Sequence, residues 1–385
     1  MTTVPIWRAQ SRRASPRVRA HDAQVLDAAV EVLARDGWGG FSAAAVARDC
    51  DLSKRAVSTR YRTRAALAAD TWLQRCEPAL SNRWTAITTA EGAALVEELM
   101  RMTGPTPVEL AAIELLLIAS YEPDLASATQ GFREWIHSGL SGLDPTIAAR
   151  RAYAGAVGLG LICASHDPIA PADHTRSALI SLADAVGTPS SARAIPDIPA
   201  EHLRGTPPMN TGDDITDALL TSALELITEE GFDGVSVVRI SERAGVSEGA
   251  LFNRYSSKVD LLREAVEIAN RTGFALNNDY MGAIARDHGA GVAEAVMIRH
   301  ILHPQTRTPV VMNLEQSRVS WHYPELAAAL RQARDAAIDA PHATEAALSR
   351  HQLGLATGYG FMLLGLLDTT AWQLPFDVVS VPLEG

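Results

Sequence analysis

The sequence contains few of the residues that build disulfide frameworks or cysteine-based metal sites. It has 3 cysteines in 385 residues, Cys50, Cys76 and Cys163, and none of them forms a CxxC pair. This odd number excludes a disulfide framework and indicates a reduced compartment, so we expect a cytoplasmic protein. A chain of this length buries enough apolar surface to fold without such staples.

Aromatic residues are also scarce, at 5% of a chain whose hydrophobic fraction is 47%. Ala and Leu dominate the apolar residues, which favours helices, because sheets are enriched in β-branched and aromatic residues. We therefore predict an all-α fold.

Long hydrophobic runs are missing. The longest uncharged apolar run, Leu353–Leu367, has 15 residues, whereas a membrane helix needs about 20. Its glycines at 354, 358, 360 and 365 suit close helix packing, so we predict a buried helix and no membrane partner. Residues 1–19 contain five arginines but no apolar stretch, and we expect no secretory signal there.

The net charge of −11 is distributed unevenly along the chain. Residues 1–66 hold 12 Lys+Arg against 6 Asp+Glu, a local excess of +6. A basic end on an acidic body is typical of a DNA-binding domain joined to a domain that does not bind DNA.

The sequence repeats itself. Residues 29–67 match residues 223–261 without gaps at an offset of 194, with ten identities in 39 positions. Residues 114–125 match 315–326 at an offset of 201, and the glycines at 158 and 160 match those at 358 and 360. Three blocks in one order indicate duplication of a unit of about 190 residues, too long for a solenoid repeat. Five prolines in residues 188–213 indicate a linker between the two halves.

The second copy has the pattern of a helix-turn-helix. Apolar spacing predicts helices over 217–230, 237–244 and 248–255. Gly231 can end the first helix, Gly245 can adopt a left-handed turn, and Ser247 can cap the third helix. The last helix of such a motif enters the major groove of DNA.

These residues resemble the DNA-binding signature of the tetracycline-repressor (TetR) family. The resemblance runs from Gly231-Phe232 through Ala244-Gly245-Val246-Ser247 and Leu251-Phe252 to Tyr255 and Lys258. It implies that each half has three N-terminal helices followed by a larger helical domain for ligand binding and dimerisation. By the resemblance, phosphate contacts come from Ser247, Phe252, Tyr255 and Lys258, and contacts near base edges come from Gly249, Ala250 and Asn253.

The first copy departs from this signature. Its turn reads Asp51-Leu52-Ser53, Arg55 replaces a glycine, and Ser58 replaces an aromatic residue. It is nevertheless far more basic than residues 213–263, which carry 5 Lys+Arg and 10 Asp+Glu. The DNA-binding residues that we predict in the first copy are Ser53, Lys54, Arg55, Ser58, Thr59, Arg60, Tyr61 and Arg64.

Six segments follow from this reading. They are an Arg-rich arm (1–20), a basic first DNA-binding domain with a degenerate motif (21–67), a first helical regulatory domain (68–187), a Pro-rich linker (188–213), a second DNA-binding domain (214–263) and a second regulatory domain (264–385). The arm either enters a minor groove or is a solvated tail. The regulatory domains are expected to pair through residues 144–164 and 175–186 of the first half and 344–367 of the second.

Candidates for an effector cavity are aromatic residues on the helical stripes of the regulatory domains, although plain core packing is the simpler explanation of each, because an aromatic residue on a helical stripe fills space in any bundle. They are Trp84, Trp135, Trp321, Tyr359 and Phe361. Three histidines, His300, His303 and His322, have no Cys or carboxylate partners at ligand spacing, so we expect no metal site and no cofactor.

The sequence thus predicts a transcriptional regulator that binds a double-stranded DNA operator. We expect a repressor released by a small-molecule effector, acting as a monomeric pseudo-dimer or as a homodimer. One alternative is a module of the same fold that has lost DNA binding. Another is an enzyme, but the consecutive Ser165-His166-Asp167 cannot converge on one point as a hydrolytic triad does.

Overall fold

The computed structural model describes residues 16–166, 171–188, 195–199, 209–337 and 344–379, and the regular structure in these ranges is helical throughout. It confirms the all-α prediction. The helices of the first half are α1 (Pro16–Gly40), α2 (Ala43–Asp49), α3 (Lys54–Arg60), α4 (Arg64–Thr71), a π-helical turn (Trp72–Cys76), α5 (Glu77–Thr89), α6 (Gly92–Met102), α7 (Pro107–Ile118), α8 (Pro123–Ser141), α9 (Pro145–Ala164) and α10 (Ala172–Gly187).

The second half repeats this order. Its helices are α11 (Asp214–Gly234), α12 (Val237–Ala244), α13 (Glu248–Phe252), α14 (Lys258–His288), α15 (Ala290–Leu302), a 3-10 turn (Pro304–Thr306), α16 (Arg307–Ser320), α17 (Pro324–Ala337) and α18 (Glu345–Leu367), followed by 3-10 turns at Ala371–Gln373 and Phe376–Val378.

The chain forms two compact units that do not follow the two halves of the repeat. The first unit combines residues 1–80 with 106–129, and the second combines 81–105 with 130–385. In the first unit, helices α1 to α4 form the first head, which contains the predicted first DNA-binding domain, and α7 packs along α1. The buried side chains of α7 thereby complete the core of that head.

The second unit is built around α9 and α18, which occupy equivalent places in the two copies of the repeat. These two helices make the most extensive helix contact among the described residues. The second head, α11 to α14, belongs to the same unit, and its core includes Met312 and Val319 from α16 and Leu326 from α17. Helix α9 is the described helix that is long and apolar enough to cross a membrane, and 78% of its most apolar window is buried inside the protein. That burial is what a central packing helix requires.

Glycines allow α9 and α18 to cross at backbone contact. A Cβ on Gly160 would overlap the carbonyl group of Ala356, and a Cβ on Gly360 would overlap the carbonyl group of Ala156. Both pairs are related by the same offset of 200 residues, so the contact is reciprocal between the two halves. Gly354, on the same helix as Gly360, has no heavy atom within 4 Å of its ideal Cβ position. Only some of the glycines in the predicted buried run therefore lie at the crossing.

We predict opposite effects of two alanine substitutions on α18. Gly360→Ala should lower the free energy of unfolding by about 1–3 kcal/mol, because the added methyl group forces the two backbones apart. Gly354→Ala is the matched control and should raise stability by up to about 1 kcal/mol through helix propensity. Urea unfolding curves measure both changes. Equal stability of the two variants would contradict the crossing.

Candidate nucleic-acid interface and ligand cavity

The second head has the helix-turn-helix geometry that its sequence predicts. Helix α12 spans the predicted residues, and Gly245 after it has a left-handed backbone with φ 69°. The Ser247 side chain accepts a hydrogen bond from the N–H of Ala250 at 3.1 Å and so caps α13. Ile240 and Leu251 are fully buried between the two helices. The turn therefore fixes α13 against α12 and leaves one face of α13 outside.

That outer face carries the residues predicted to contact DNA. Ser247, Gly249 and Asn253 are exposed, and Ala250 is half-buried. Phe252 is 52% exposed. The structure thus brings these predicted residues together on the exposed side of α13, and their contacts to DNA stay predictions.

The first head repeats the motif with a different turn. Asp51 occupies the position of Gly245 in the repeat and has φ 56°, a left-handed backbone that a non-glycine residue adopts at a cost of about 1–2 kcal/mol. Ser53 still caps α3 by accepting from the N–H of Ala56 at 3.2 Å. On α3, Lys54, Arg55 and Thr59 are exposed and Ser58 is half-buried. The geometry of the motif is kept although its signature is degenerate.

The two tyrosines predicted near DNA lie in the cores of their heads. Tyr61 is 7% exposed, and its hydroxyl donates to the Asp70 carboxylate at 3.3 Å. Burial raises the pKa of Tyr61 to about 12. Tyr255 is 4% exposed, and burial together with the Glu264 carboxylate raises its pKa as well. Both rings stabilise their heads, and their contacts to phosphate stay predictions.

Lys258 and Arg64, which occupy equivalent positions, each hold the end of the first helix of their own head. The Lys258 ammonium donates to the carbonyl oxygens of Phe232 and Val235 at 2.7 and 2.9 Å and lies 4.0 Å from the centre of the Phe232 ring. Burial lowers its pKa. Arg64 donates to the carbonyl of Trp38 at 3.2 Å and lies 4.0 Å over that indole. Both cations already bond carbonyl groups of their own heads, so a DNA phosphate would have to share each cation with those carbonyls.

The remaining arginines around the second recognition helix are held by carboxylates. Arg243 pairs with Glu229 at 2.8 Å, Arg254 pairs with Asp213 at 2.9 Å, and Arg239 pairs with Glu230. The hydrogen bond from Arg254 lowers the pKa of Asp213 to about 2. In the first head, Arg60 pairs with Asp22. Among the described residues no ion pair involves Lys54, Arg55 or Arg62, so the first head presents more available positive charge.

Two buried glutamates, which we call the latch glutamates, join each head to the helix behind it. Glu114 on α7 accepts a hydrogen bond from the N–H of Trp38 at 2.6 Å, and Glu315 on α16 accepts one from the N–H of Phe232 at 2.6 Å. Each of these N–H groups follows a left-handed glycine, with φ 60° at 37 and 73° at 231. Both carboxylates are at most 2% exposed.

The second latch has an additional buried cation. Arg318, which is 1% exposed, donates to both oxygens of Glu315 at 2.8 and 2.7 Å and to Asp233 at 2.8 Å. The repeat places Leu117 and Gly39 at the corresponding positions of the first half. Sequence reasoning missed both latches. The signal was present, because the second repeat block begins with a glutamate in each copy, inside a segment that is otherwise apolar in the first copy.

A cavity of about 370 Å³ lies in the second unit, lined by α16, α17, α18 and the end of α9. Of the aromatic residues predicted to line an effector cavity, it brings together Trp321 and Tyr359. Trp84 packs against Gly155, and Phe361 is fully buried with its ring 5.4 Å from that of Tyr153. Trp135 is 43% exposed.

Three further features of the sequence remain: the consecutive Ser165-His166-Asp167, the histidines considered for a metal site, and the N-terminal arm. The Ser165 hydroxyl donates to the carbonyl of Ile162 at 2.7 Å, and the His166 ring lies 4.5 Å from Trp321, whereas Asp167 lies outside the described residues. The Ser165 hydroxyl and the His166 ring thus contact different groups. In the described ranges no group of three or more His, Cys, Asp or Glu residues is placed to hold a metal ion. Of the predicted arm, residues 1–15 lie outside the described part, and α1 begins at Pro16.

Comparison with known proteins identifies the two heads. A family model described as bacterial regulatory proteins, tetR family, matches the chain at residues 25–71 and again at 219–265. These ranges cover the two copies of the helix-turn-helix and confirm the resemblance read from the sequence. No curated protein matches the chain.

The hydrogen bonds of Lys258 predict that its substitution destabilises the free protein, whereas substitution of a lysine that only contacts phosphate at the surface does not. Lys258→Met keeps the apolar stem but removes two buried hydrogen bonds from a charged donor, which should cost about 1.5–3 kcal/mol. We expect faster amide hydrogen exchange in α11 in the free protein. Lys54→Met, at an exposed lysine, is the control and should leave exchange unchanged. Identical exchange in Lys258→Met and the wild type would assign Lys258 to the surface.

Proposed function

We propose that this chain, which carries two helix-turn-helix domains of the tetR family, is a cytoplasmic repressor that a small-molecule effector releases from DNA. We propose further that one chain acts as an intramolecular pseudo-dimer on an asymmetric operator. The observation that carries this proposal is the reciprocal crossing of α9 and α18. We further propose that the DNA-binding domains within the two heads extend over residues 21–67 and 214–263.

The crossing supports a pseudo-dimer because it has the form of an isologous interface. In a symmetric dimer, residue i of one subunit contacts residue j of the other, and j contacts i. Here Gly160 meets Ala356 and Gly360 meets Ala156, and the members of each set are related by the repeat. The contact that two chains would make in a symmetric dimer is therefore made inside one chain, and no second chain is needed to cover it.

The unequal charges of the heads support an asymmetric operator. Lys54 and Arg55 lie exposed on α3 of the first head, whereas the arginines around α13 of the second head are held by carboxylates. Phosphate neutralisation supplies affinity without sequence information, and base-edge contacts supply specificity. We infer that the first head contributes mainly electrostatic affinity and the second head mainly sequence readout through Gly249, Ala250 and Asn253.

A regulatory module that no longer binds DNA is the second candidate. The ion pairs Arg239–Glu230, Arg243–Glu229 and Arg254–Asp213 favour it, because they offset the charge that would attract phosphates to the second head. Exposed Phe252 and the basic α3 favour DNA binding.

The charge of the first head predicts the salt dependence of binding. Replacing both Lys54 and Arg55 by Ala should reduce the slope of log affinity against log salt by about 2, since each neutralised phosphate contributes about 0.9. Fluorescence anisotropy with genomic fragments that the protein selects, at several salt concentrations, measures the slope. Arg35→Ala removes a cation that is already paired with Asp36 and Asp49 and should leave the slope nearly unchanged. Equal slopes for all three proteins would remove the first head from the interface.

The exposed phenyl ring of the second head predicts a loss confined to one half-site. Phe252→Ala should weaken protection of one half-site about tenfold, because losing its apolar contact with the DNA should cost about 1.4 kcal/mol, and should leave the other half-site protected. Val238→Ala, which trims another exposed apolar residue in the same head, is the control. Footprinting combined with sedimentation gives protection and stoichiometry together.

One chain over two half-sites about 34 Å apart is the expected complex. A complex of two chains over two identical half-sites would overturn the pseudo-dimer. Absence of selective binding at low salt by a folded, effector-free protein would favour the module without DNA binding.

A further inference from the structure

The cavity in the second unit differs in chemistry from the corresponding region of the first half. Its lining on α16 is polar, with Gln316 and Ser317 each 5% exposed and Asn313 and Ser320 beside them. The repeat places Ala112, Leu115, Leu116 and Ala119 at these positions of α7. The two copies of this helix have therefore diverged. In the first half these positions of α7 lie in an apolar core, and in the second half those of α16 line a polar cavity.

The lining has an aromatic platform and a cation but no carboxylate. Trp321 and His166 lie with ring centres 4.5 Å apart at an interplanar angle of 35°, and both face the cavity. Arg331 supplies a permanent positive charge, and Gln352 and Tyr359 add side chains that can donate hydrogen bonds. No Asp or Glu is among the described residues of the lining. The volume of about 370 Å³ fits a small organic ligand.

Helix α16 joins this cavity directly to the latch of the second head. Positions 313, 316, 317 and 320 face the cavity, whereas Glu315 and Arg318, on the other side of the same helix, hold Phe232 and Asp233 of α11. At 100° per residue, the two sets occupy separate faces of one rigid helix. If a ligand in the cavity displaces α16, the Glu315 carboxylate, which accepts the hydrogen bond of the Phe232 N–H, moves with it.

We propose that this cavity binds a planar aromatic compound carrying an acidic group, and that the ligand controls the second head alone. The inference rests on the proposed function, since it names the effector class and the head that the effector releases. The ring lies against Trp321, and Arg331 receives the acidic group. A ligand shifts the equilibrium of the head only by its difference in affinity for the two positions of α16. The first head has its own latch, on Glu114, and no cavity-lining residue belongs to its unit.

Binding is tested without DNA, using naphthalene-1-carboxylate as the probe and naphthalene-1-methylammonium as its cationic counterpart. Calorimetry of the full chain should show one saturable site for the anion and at least tenfold weaker binding of the cation. Arg331→Gln should weaken the anion about tenfold, by loss of a charged hydrogen-bond donor, and Arg331→Lys should restore part of the affinity. Arg101→Gln, a cation outside the cavity, is the matched control.

Ser317→Leu introduces the type of residue found in the first half and should abolish binding while the protein stays folded, as its thermal unfolding will show. Ser320→Ala removes a hydroxyl without filling the space and should retain binding. A cation that binds as well as the anion, or an anion whose affinity is the same in Ser317→Leu, would overturn the proposed ligand class and site. That result would leave the DNA-binding experiments unaffected, so the two failures are distinguishable.

Coupling to the head is read from hydrogen exchange. With saturating naphthalene-1-carboxylate, the exchange rate of the Phe232 amide should change severalfold, whereas that of the Trp38 amide should not. The same ligand should weaken protection of the half-site that depends on Phe252. Unchanged exchange at both amides in the ligand-bound protein would overturn the coupling, and equal changes at both would overturn its restriction to the second head.

Discussion

In each half, one hydrogen bond from a backbone N–H to a buried carboxylate fixes the head on the helix with which it shares an apolar core. A left-handed glycine turns the first helix of the head, which leaves the following N–H without a helical acceptor, and the latch glutamate supplies one. An unsatisfied buried N–H costs about 1–3 kcal/mol, so this contact fixes both the bend and the helix that carries the carboxylate. The orientation of α3 or α13 is then set relative to α7 or α16. A displacement of α7 or α16 therefore reaches the head through this contact as well as through the shared apolar core.

The two latches solve the problem of a buried charge differently. Around Glu315 the charge is balanced by Arg318, which also bonds Asp233 of the head. Breaking a buried pair by removing one partner leaves an uncompensated charge and typically costs about 3–5 kcal/mol. The second head is thus held by a network whose members depend on one another. The first half has Leu117 at the place of Arg318. Divergence between the halves therefore extends from the recognition helices to the way each head is held.

Much of this arrangement could be predicted from local sequence. Gly245, Ser247 and the apolar spacing of residues 237–251 define the turn and both helices, because capping and left-handed backbone are local properties. Residues that act at a distance were not predictable. Lys258 has the composition of a phosphate anchor, yet it bonds carbonyl groups 23 and 26 positions away. Equally, Gly354 and Gly360 look alike in sequence, and only the position of α9 decides which of them lies at the crossing.

Covalent duplication explains why the halves could diverge. In a symmetric homodimer, a substitution appears in both subunits, so a change that suits one half-site must be tolerated at the other. When both halves lie in one chain, the pairing surface is retained through Gly160 and Gly360 while each head, latch and core changes separately. Tethering also raises the effective concentration of one half for the other to the millimolar range. Weak DNA binding by one head then suffices for binding by the whole chain. The first head can therefore be basic with a degenerate motif, while the second head supplies selectivity with less available charge.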